Sequence, residues 1–401
     1  MNKLPANWKE VKLKDALNDY IRGPFGSALK RNELLNKGIA VYEQQHAIYN
    51  TRNFRYFIDK NKYEQLKRFT VFENDLIISC SGTLGKVSII KENDTFGIIS
   101  QALLLLRPNI NIVYPKYLYY YFFSNIGYNA LLSRSTGSVQ INIAKRKDIE
   151  NIKLNLPPLA EQKGIASILS SLDDKIELNN KTNRILEEMA QSIFNEWFIN
   201  FNFPNEDGKP YKKSGGEMID SEFGKIPKGW KVGILGDIIS IESGKRPNVS
   251  SKNITTEYNI PIYGASNKIG YTNSILFNEK ILITGRVGTH GIVQRINFPC
   301  WASDNTFVIR STFHEYTYQN LKRIDYINLN RGTTQPLIVQ SDIKKLKVLL
   351  NDKIINQYEN LTSSFWNLWH KNIFENEKLS GIRDILLPKL MSGEIRIDKN
   401  E

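Results

Sequence analysis

Few side chains in this sequence are spaced for catalysis. Gly82-Thr83-Leu84-Gly85-Lys86 comes nearest to a phosphate-binding loop, but the G-x-x-x-x-G-K-[ST] pattern would need glycine where Cys80 stands and Ser or Thr where Val87 stands. His46, His290, His314 and His370 lie far apart, with no H-E-x-x-H spacing for a metal. Cys80 and Cys300 are the only cysteines, too few for a disulfide scaffold or a multi-cysteine zinc site, so a reducing cytoplasm is the expected compartment. An amino-methyltransferase needs Asn or Asp before Pro-Pro and an aromatic after it; the nearest text, Leu156-Pro157-Pro158-Leu159, has neither. No glycine-rich adenosylmethionine loop follows a first strand. The expectation is a chain with no catalytic residues, no metal and no cofactor.

The residues suited to recognition fall into three loop segments, found twice. In the first copy these are Arg22-Gly23-Pro24-Phe25-Gly26-Ser27 with Lys30 and Arg31, then Ser79–Lys86, then Arg134–Gln140, including Ser138, with Lys145 and Arg146. In the second they are Ser243-Gly244-Lys245-Arg246, then Thr284–His290, including Arg286, then Arg331–Gln335, including Thr333. Glycine lets a backbone approach a ligand closely, hydroxyls donate to phosphates, and Arg, Gln and Asn can pair bidentately with base edges. The glycine turns of Ser79–Lys86 and Thr284–His290 serve equally well as turns that the fold requires. Trp8 and Trp230 read as core anchors.

The elements that carry these loops repeat in the same order. Pro5-Ala6-Asn7-Trp8-Lys9 returns as Pro227-Lys228-Gly229-Trp230-Lys231, Asp75–Ile78 with its glycine turn returns as Lys280–Ile283 with another, and Gly137-Ser138-Val139-Gln140 returns as Gly332-Thr333-Thr334-Gln335. Apolar and β-branched runs predict strands at Leu76–Ser79, Val87–Ile90, Lys280–Thr284 and Thr306–Ile309, and short helices at Tyr117–Phe123 and Tyr318–Tyr326. The chain therefore reads as α+β: two related mixed α/β domains, 1–157 and 204–350, each followed by a long helical segment, 158–203 and 351–401, with a pseudo-twofold relation expected between the copies.

With 401 residues the chain exceeds one compact core. It carries 54 Lys and Arg against 41 Asp and Glu, a net charge of +13. The excess is localised: 1–157 carries +10 and 204–350 carries +7, whereas 158–203 carries −3 and 351–401 carries −1. Basic domains joined by near-neutral helices point to a polyanion such as nucleic acid. No apolar run is long enough for a membrane helix, and the N-terminus has no signal-peptide core.

In the first helical segment Ile165, Leu169, Leu172, Ile176, Asn179, Asn183, Leu186, Ala190, Ile193 and Trp197 alternate strictly by four and three. Ile354, Tyr358, Leu361, Phe365, Leu368, Asn372, Glu375, Leu379, Ile382 and Leu386 do the same in the second, which Pro388 should end. These are coiled-coil seams, polar at mid-length. Antiparallel helices with level centres would set Asn179 across from Asn372. Leu178, Ile185 and Met189 on one helix, and Trp366, Trp369 and Ile373 on the other, form second apolar stripes that imply a further partner.

Leu156-Pro157-Pro158-Leu159-Ala160-Glu161-Gln162, Trp197-Phe198 followed by Phe203-Pro204 and Ile226-Pro227-Lys228-Gly229-Trp230, and the closing Leu386-Leu387-Pro388-Lys389-Leu390-Met391-Ser392-Gly393-Glu394-Ile395 resemble the central helices and domain junctions of specificity subunits of type I restriction–modification systems. The resemblance spans essentially the whole chain in order. It implies a cytoplasmic subunit without chemistry of its own that binds a split double-stranded DNA target, docks two methyltransferase subunits on its helices and recruits restriction (nuclease/translocase) subunits. Two alternatives stand beside it: a self-contained restriction–methylation protein, which the missing methyltransferase motifs oppose, and a coiled-coil adaptor with basic nucleic-acid-binding domains.

Overall fold

The computed structural model describes residues 5–25, 28–134, 141–331 and 337–397. The chain forms two compact units, Met1–Asn179 with Phe374–Glu401, and Asn180–Ile373.

In the first unit, strands β1 (Leu17–Arg22), β2 (Ile39–Tyr42), β3 (Phe57–Ile58), β4 (Leu76–Ser79), β5 (Val87–Ile89), β6 (Gly97–Ile99) and β7 (Leu103–Pro108) make two sheets. One is four-stranded, ordered β1-β7-β4-β5 and antiparallel throughout; the other is β3-β2-β6, with β2 and β6 parallel. The near-continuous apolar runs of β4 and β7 follow from burial on both faces. Leu76, Ile78, Leu104 and Leu106 face a core shared with helix α2 (Pro115–Phe123), whereas Ile77, Leu103 and Leu105 face the three-stranded sheet. Helix α1 (Gln44–Ile48) follows β2 directly.

The second unit builds the same topology. Strands β8 (Ile239–Ser243), β9 (Ile260–Tyr263), β10 (Lys268–Thr272), β11 (Ile281–Gly285), β12 (Val293–Ile296), β13 (Trp301–Ala302) and β14 (Thr306–Ser311) form sheets ordered β8-β14-β11-β12 and β10-β9-β13. Leu282, Phe307 and Ile309 face one core, Ile281, Ile283 and Val308 the other. In each unit the segment that begins the domain pairs antiparallel with the one that ends it, Lys9–Lys12 on Lys153–Leu156 and Lys231–Ile234 on Lys347–Leu350. Trp8 and Trp230, just before these strands, are buried in the cores.

Two long helices run through the fold, α3 (Leu159–Phe194, continued by one π turn to Ile199) and α5 (Asp352–Ser392); helix α4 (His314–Lys322) lies between them in sequence. In the first unit Arg383 of α5 meets Asp173 of α3 at 2.7 Å, and Asn179 donates to Glu375 and Asn376 at 2.8 and 2.9 Å. In the second, Asn372 donates to Asn183 at 2.8 Å and the Tyr358 hydroxyl to the Ala190 carbonyl at 3.1 Å. Rising numbers on one helix thus meet falling numbers on the other in each unit. The expected facing of Asn179 and Asn372 is off by about one turn, because the buried Asn372 amide donates to the Asn183 oxygen, while the Asn183 amide donates to the Trp369 carbonyl at 3.3 Å, and together these bonds fix the register.

On α3, Ile165, Leu169, Asn179, Asn183 and Leu186 are buried and Leu172, Ile176 and Ile193 half-buried. On α5, Ile354, Tyr358 and Asn372 are buried and Phe365, Glu375, Leu379 and Leu386 half-buried, but Leu361, Leu368 and Ile382 are exposed, contrary to the heptad reading. Ile355, Thr362, Trp366 and His370 are buried in their place. Nor does Pro388 end α5. It sits on the exposed side of a last turn held in the first core by Leu387, Leu390 and Met391, and the helix stops only at Gly393, with φ +75°.

The reason α5 is rotated lies in how each fold grips its helix segments. In the second unit, Arg295 of β12, 4% exposed, is stacked on Trp366 at 3.1 Å and Tyr318 at 3.9 Å from the ring centroids. Its charge lies 3.5 Å from Glu187 of α3, which also accepts from the Tyr318 hydroxyl at 2.7 Å and Lys322 at 2.5 Å. Burial opposes the Glu187 charge, but these donors outweigh it and hold its pKa below the usual value. The first unit reaches the same end with other residues: Asp173 of α3 accepts from the Tyr120 hydroxyl and Arg383, both at 2.7 Å, and Arg383 lies 4.9 Å from the Phe123 ring centroid. Trp366 is therefore not part of an exposed docking stripe. Trp369 and Ile373 are half-buried, whereas Leu178, Ile185 and Met189 are exposed.

Two predictions follow from this packing. Asn372→Leu leaves the buried Asn183 oxygen without its donor and should cost about 1–3 kcal/mol, while the double variant Asn183→Leu/Asn372→Leu should come out near neutral, read as a double-mutant cycle in urea; a double variant as unstable as the single one contradicts the pairing. Trp366→Ala should lower stability by about 3–5 kcal/mol through loss of a buried aromatic and its stacked cation; a loss under 1 kcal/mol would show the ring is not a core element.

Candidate nucleic-acid interface

The strand registers bring the recognition loops of each unit together. β1 ends with Arg22 beside Leu104, and β4 ends with Ser79 beside Leu103, so the first two loops leave from one end of the four-stranded sheet. The amides of Gly23 and Cys80 bond the carbonyls of Leu103 and Ala102 at 3.0 and 2.8 Å. The third loop springs from the Leu132–Arg134 and Ile141–Ile143 hairpin, whose Leu132 side chain lies beside Gly85. In the second unit β8 ends with Ser243 beside Phe307 and β11 with Gly285 beside Thr306. The third loop is tied to the second there by a Val287–Leu337 bridge and by the Ile338 amide on the Arg286 carbonyl at 3.1 Å.

Backbone constraints account for several of the glycines. A Cβ on Gly23 would lie 2.0 Å from the Ser100 carbonyl oxygen, and one on Gly244 would lie 2.2 Å from that of Ser303. Both serines sit just before the strand that centres their sheet, and the amides of Leu103 and Thr306 bond their carbonyls at 3.1 Å. Gly82 and Gly85, with φ +58° and +70°, and Gly288 and Gly291, with φ +82° and +84°, occupy the left-handed region that other residues avoid. The Ser79 hydroxyl closes its own loop by donating to the Thr83 carbonyl at 2.6 Å and accepting from the Lys86 amide at 3.0 Å.

The side chains singled out from sequence have different fates. Arg22 is half-buried next to Cys80, whose thiol is pushed up to about 11 by burial, against the pull of Arg22. Lys86 is exposed, with its ammonium 5.2 Å from the Tyr128 ring centroid. Lys145 is exposed, and Arg146 stacks 4.9 Å from the Tyr20 ring centroid while pairing with Glu150 at 2.7 Å. Lys245 and Arg246 are exposed, Arg286 half-buried. Arg331 is exposed and pairs with Asp342 at 2.6 Å. His290 is half-buried: its Nδ1 lies 3.2 Å from the Gly285 carbonyl and its ring stacks on Tyr326. Lys30 and Arg31 stand on a short turn fastened elsewhere, through Glu33 to Lys62 at 2.8 Å. Ser27, Ser138, Gln140, Thr333 and Gln335 lie outside the described residues, and Arg134 is placed as backbone alone.

A fourth loop at the same end escaped the sequence reading. The Ser100 amide bonds the Tyr42 carbonyl at 2.8 Å and the Ser303 amide the Tyr263 carbonyl at 2.9 Å, so the segments following β2 and β9 adjoin the Gly23 and Gly244 loops. Their shared signal is modest: Ile39-Ala40-Val41-Tyr42 matches Ile260-Pro261-Ile262-Tyr263.

Among the described residues no group of three or more His, Cys, Asp or Glu side chains is placed to hold a metal, and no helix is long and apolar enough to cross a membrane. Residues 5–188 and 227–357 match the family described as type I restriction modification DNA specificity domain. The chain is 28% identical over 437 residues to the type I restriction enzyme MjaIX specificity subunit of Methanocaldococcus jannaschii, covering 100% of this chain and 96% of that protein. It is 23% identical over 385 residues to the HindI specificity subunit of Haemophilus influenzae, covering 74% and 81%. A crystal structure of the S subunit of a type I restriction–modification system from M. genitalium shares the fold, with a TM-score of 0.58 at 16% identity over 100% of this chain and 98% of that one. With two copies of one fold, each gathering donor-rich loops at one sheet end, the chain belongs to the type I restriction–modification DNA specificity family, and DNA target recognition is its role.

Proposed function

We propose that each unit reads one half of a two-part double-stranded DNA target and that the chain does no chemistry itself, directing two methyltransferase subunits and the restriction subunits to the site. The observation that carries this reading is the gathering of matched loops at the same end of the same sheet in both units. The division of charge supports it: residues 1–157 and 204–350 hold the basic excess, and 158–203 and 351–401 do not. In this reading Arg22, Lys86, Lys145 and Arg146 serve the first half-site, and Lys245, Arg246, Arg286 and Arg331 the second, while the two long helices set the spacer.

The test is selection from randomised duplexes with the assembled complex. Arg286→Ala should relax or abolish one half-site only, at a cost of about 1–3 kcal/mol if a bidentate base contact is lost. Inserting one heptad in both helices should lengthen the preferred spacer by about 3 base pairs, since seven helical residues add roughly 10 Å. Altered preference in both half-sites, or an unchanged spacer, sinks the division of labour.

The methyltransferase subunits are proposed to dock on the helices through exposed apolar residues, of which Leu178, Ile185 and Met189 are 56%, 43% and 44% exposed. Ile185→Asp together with Met189→Asp should reduce co-purification of the methyltransferase without lowering the melting temperature; undiminished co-purification removes this face from the interface.

A further inference from the structure

We infer that one exposed isoleucine in each unit, Ile126 in the first and Ile327 in the second, contacts a thymine methyl group in the major groove of its half-site, an inference that rests on the DNA-reading role proposed above. The two residues hold the same place in the fold. Helix α2 gives way at Ser124 to a short helix, Asn125–Leu131, and helix α4 is followed at Asp325 by another, Tyr326–Leu329. Ser124 and Asp325 cap these short helices. The Ser124 hydroxyl accepts from the Gly127 amide at 3.4 Å, and the Asp325 carboxylate accepts from the Ile327 and Asn328 amides at 3.1 and 3.3 Å. In both copies the isoleucine is the second residue after the cap.

Each short helix is fastened to the second and third recognition loops of its unit. In the first, the Tyr128 ring lies 3.0 Å from the point a Cβ on Gly85 would occupy, the Lys86 ammonium stands 5.2 Å from that ring's centroid, and the Leu131 carbonyl accepts from the Ala144 amide at 2.9 Å, beyond the hairpin of the third loop. In the second, the buried Tyr326 ring stacks on His290 and lies 3.6 Å from the point a Cβ on Gly291 would occupy. Asn330, three residues after Ile327, closes the third loop by accepting from the Leu337 amide at 2.9 Å. Both isoleucines therefore stand at the end of the sheet where the loops gather.

The backbone beneath them is fixed, yet the side chains are left in water. A Cβ on Gly127 would lie 2.1 Å from the Tyr121 carbonyl oxygen, so only glycine lets that turn pack on the end of α2, and the Tyr326 hydroxyl donates to the Leu321 carbonyl at 3.0 Å. Ile327 is nonetheless 87% exposed and Ile126 53%. A single apolar side chain on a surface needs no explanation. The same one on the same turn of two copies that share little else there, held beside the recognition loops, does. Its neighbours point to what it meets. Lys86 stands over the first short helix and Arg331 follows Ile327 by four residues, both exposed. Such cations suit a phosphate backbone, whereas the core of a protein interface is depleted of charge. Among the base edges of the major groove the apolar group on offer is the thymine C5 methyl. Isoleucine suits it, since β-branching already restricts the side chain and little freedom is lost on contact.

The experiment is selection from randomised duplexes with the assembled complex carrying wild-type chain, Ile126→Ala or Ile327→Ala. Each variant should flatten the preference for one T·A pair of its own half-site, with the other half-site, the melting temperature and co-purification of the methyltransferase unchanged. Duplexes with uracil in place of that thymine then isolate the methyl group. Wild-type complex should bind them about four-fold more weakly, the worth of one buried methyl group, while the matching alanine variant should bind thymine and uracil duplexes alike. If wild-type complex selects two half-sites and a variant keeps its own half-site base for base, or if wild-type complex binds uracil as well as thymine, the assignment of that isoleucine is overturned while the reading of two units stands. Equal weakening on all sequences overturns it too, and loss of the methyltransferase from the variant overturns it in favour of a protein contact. Failure of the wild-type complex to select any two-part site overturns the underlying reading and this inference together.

Discussion

A backbone carbonyl pressed against a glycine organises each recognition end. Ser100 in the first unit and Ser303 in the second each accept a hydrogen bond from the amide three residues on, each offer their own amide to the tyrosine carbonyl that ends the first strand of the small sheet, and each occupy the space a side chain would need at Gly23 or Gly244. A methyl group at either glycine would meet oxygen at 2.0 or 2.2 Å, well inside any tolerable contact, and backbone cannot swing aside as a side chain can. The loops that follow Arg22, Tyr42, Ser243 and Tyr263 therefore start from fixed points, so their outer residues can differ between the copies without disturbing the frame.

The second constraint is how the helices are held. Both units use a tyrosine hydroxyl and a cation on one carboxylate of the first helix, Tyr120 and Arg383 on Asp173, and Tyr318 and Lys322 on Glu187, with an aromatic face beneath an arginine. Partly buried charges carry a desolvation cost that only several simultaneous donors offset. Such a junction fixes direction more sharply than apolar packing does, since it tolerates only a narrow range of angles. The cation comes from the second long helix in one unit and from the end of helix α4 in the other, so the anchors are equivalent in function and not in sequence.

The loop composition and the loop geometry divide the work of recognition. Glycines at positive φ and the Ser79 hydroxyl shape the turns, and His290 closes one of them. Several basic side chains at the same end are stacked or paired in the free chain, Arg146 with Tyr20 and Glu150 and Arg331 with Asp342. Exposed pairs of this kind are worth little in water.

The sequence by itself determined the repeat, the strands at Leu76–Ser79 and Thr306–Ile309, the core roles of Trp8 and Trp230 and the α3 seam, because each is written in local pattern: a short apolar and β-branched run, strict four-three spacing, or a motif repeated in order. The tertiary structure decided the rest. The α5 face turned from Leu361 and Leu368 to Thr362 and Trp366 because Arg295, distant in sequence, needed an aromatic surface. The seam register followed from two asparagine amides finding each other, Asn183 and Asn372, which spacing alone leaves open by a turn. The helix ran through Pro388 because Leu387, Leu390 and Met391 are buried beyond it.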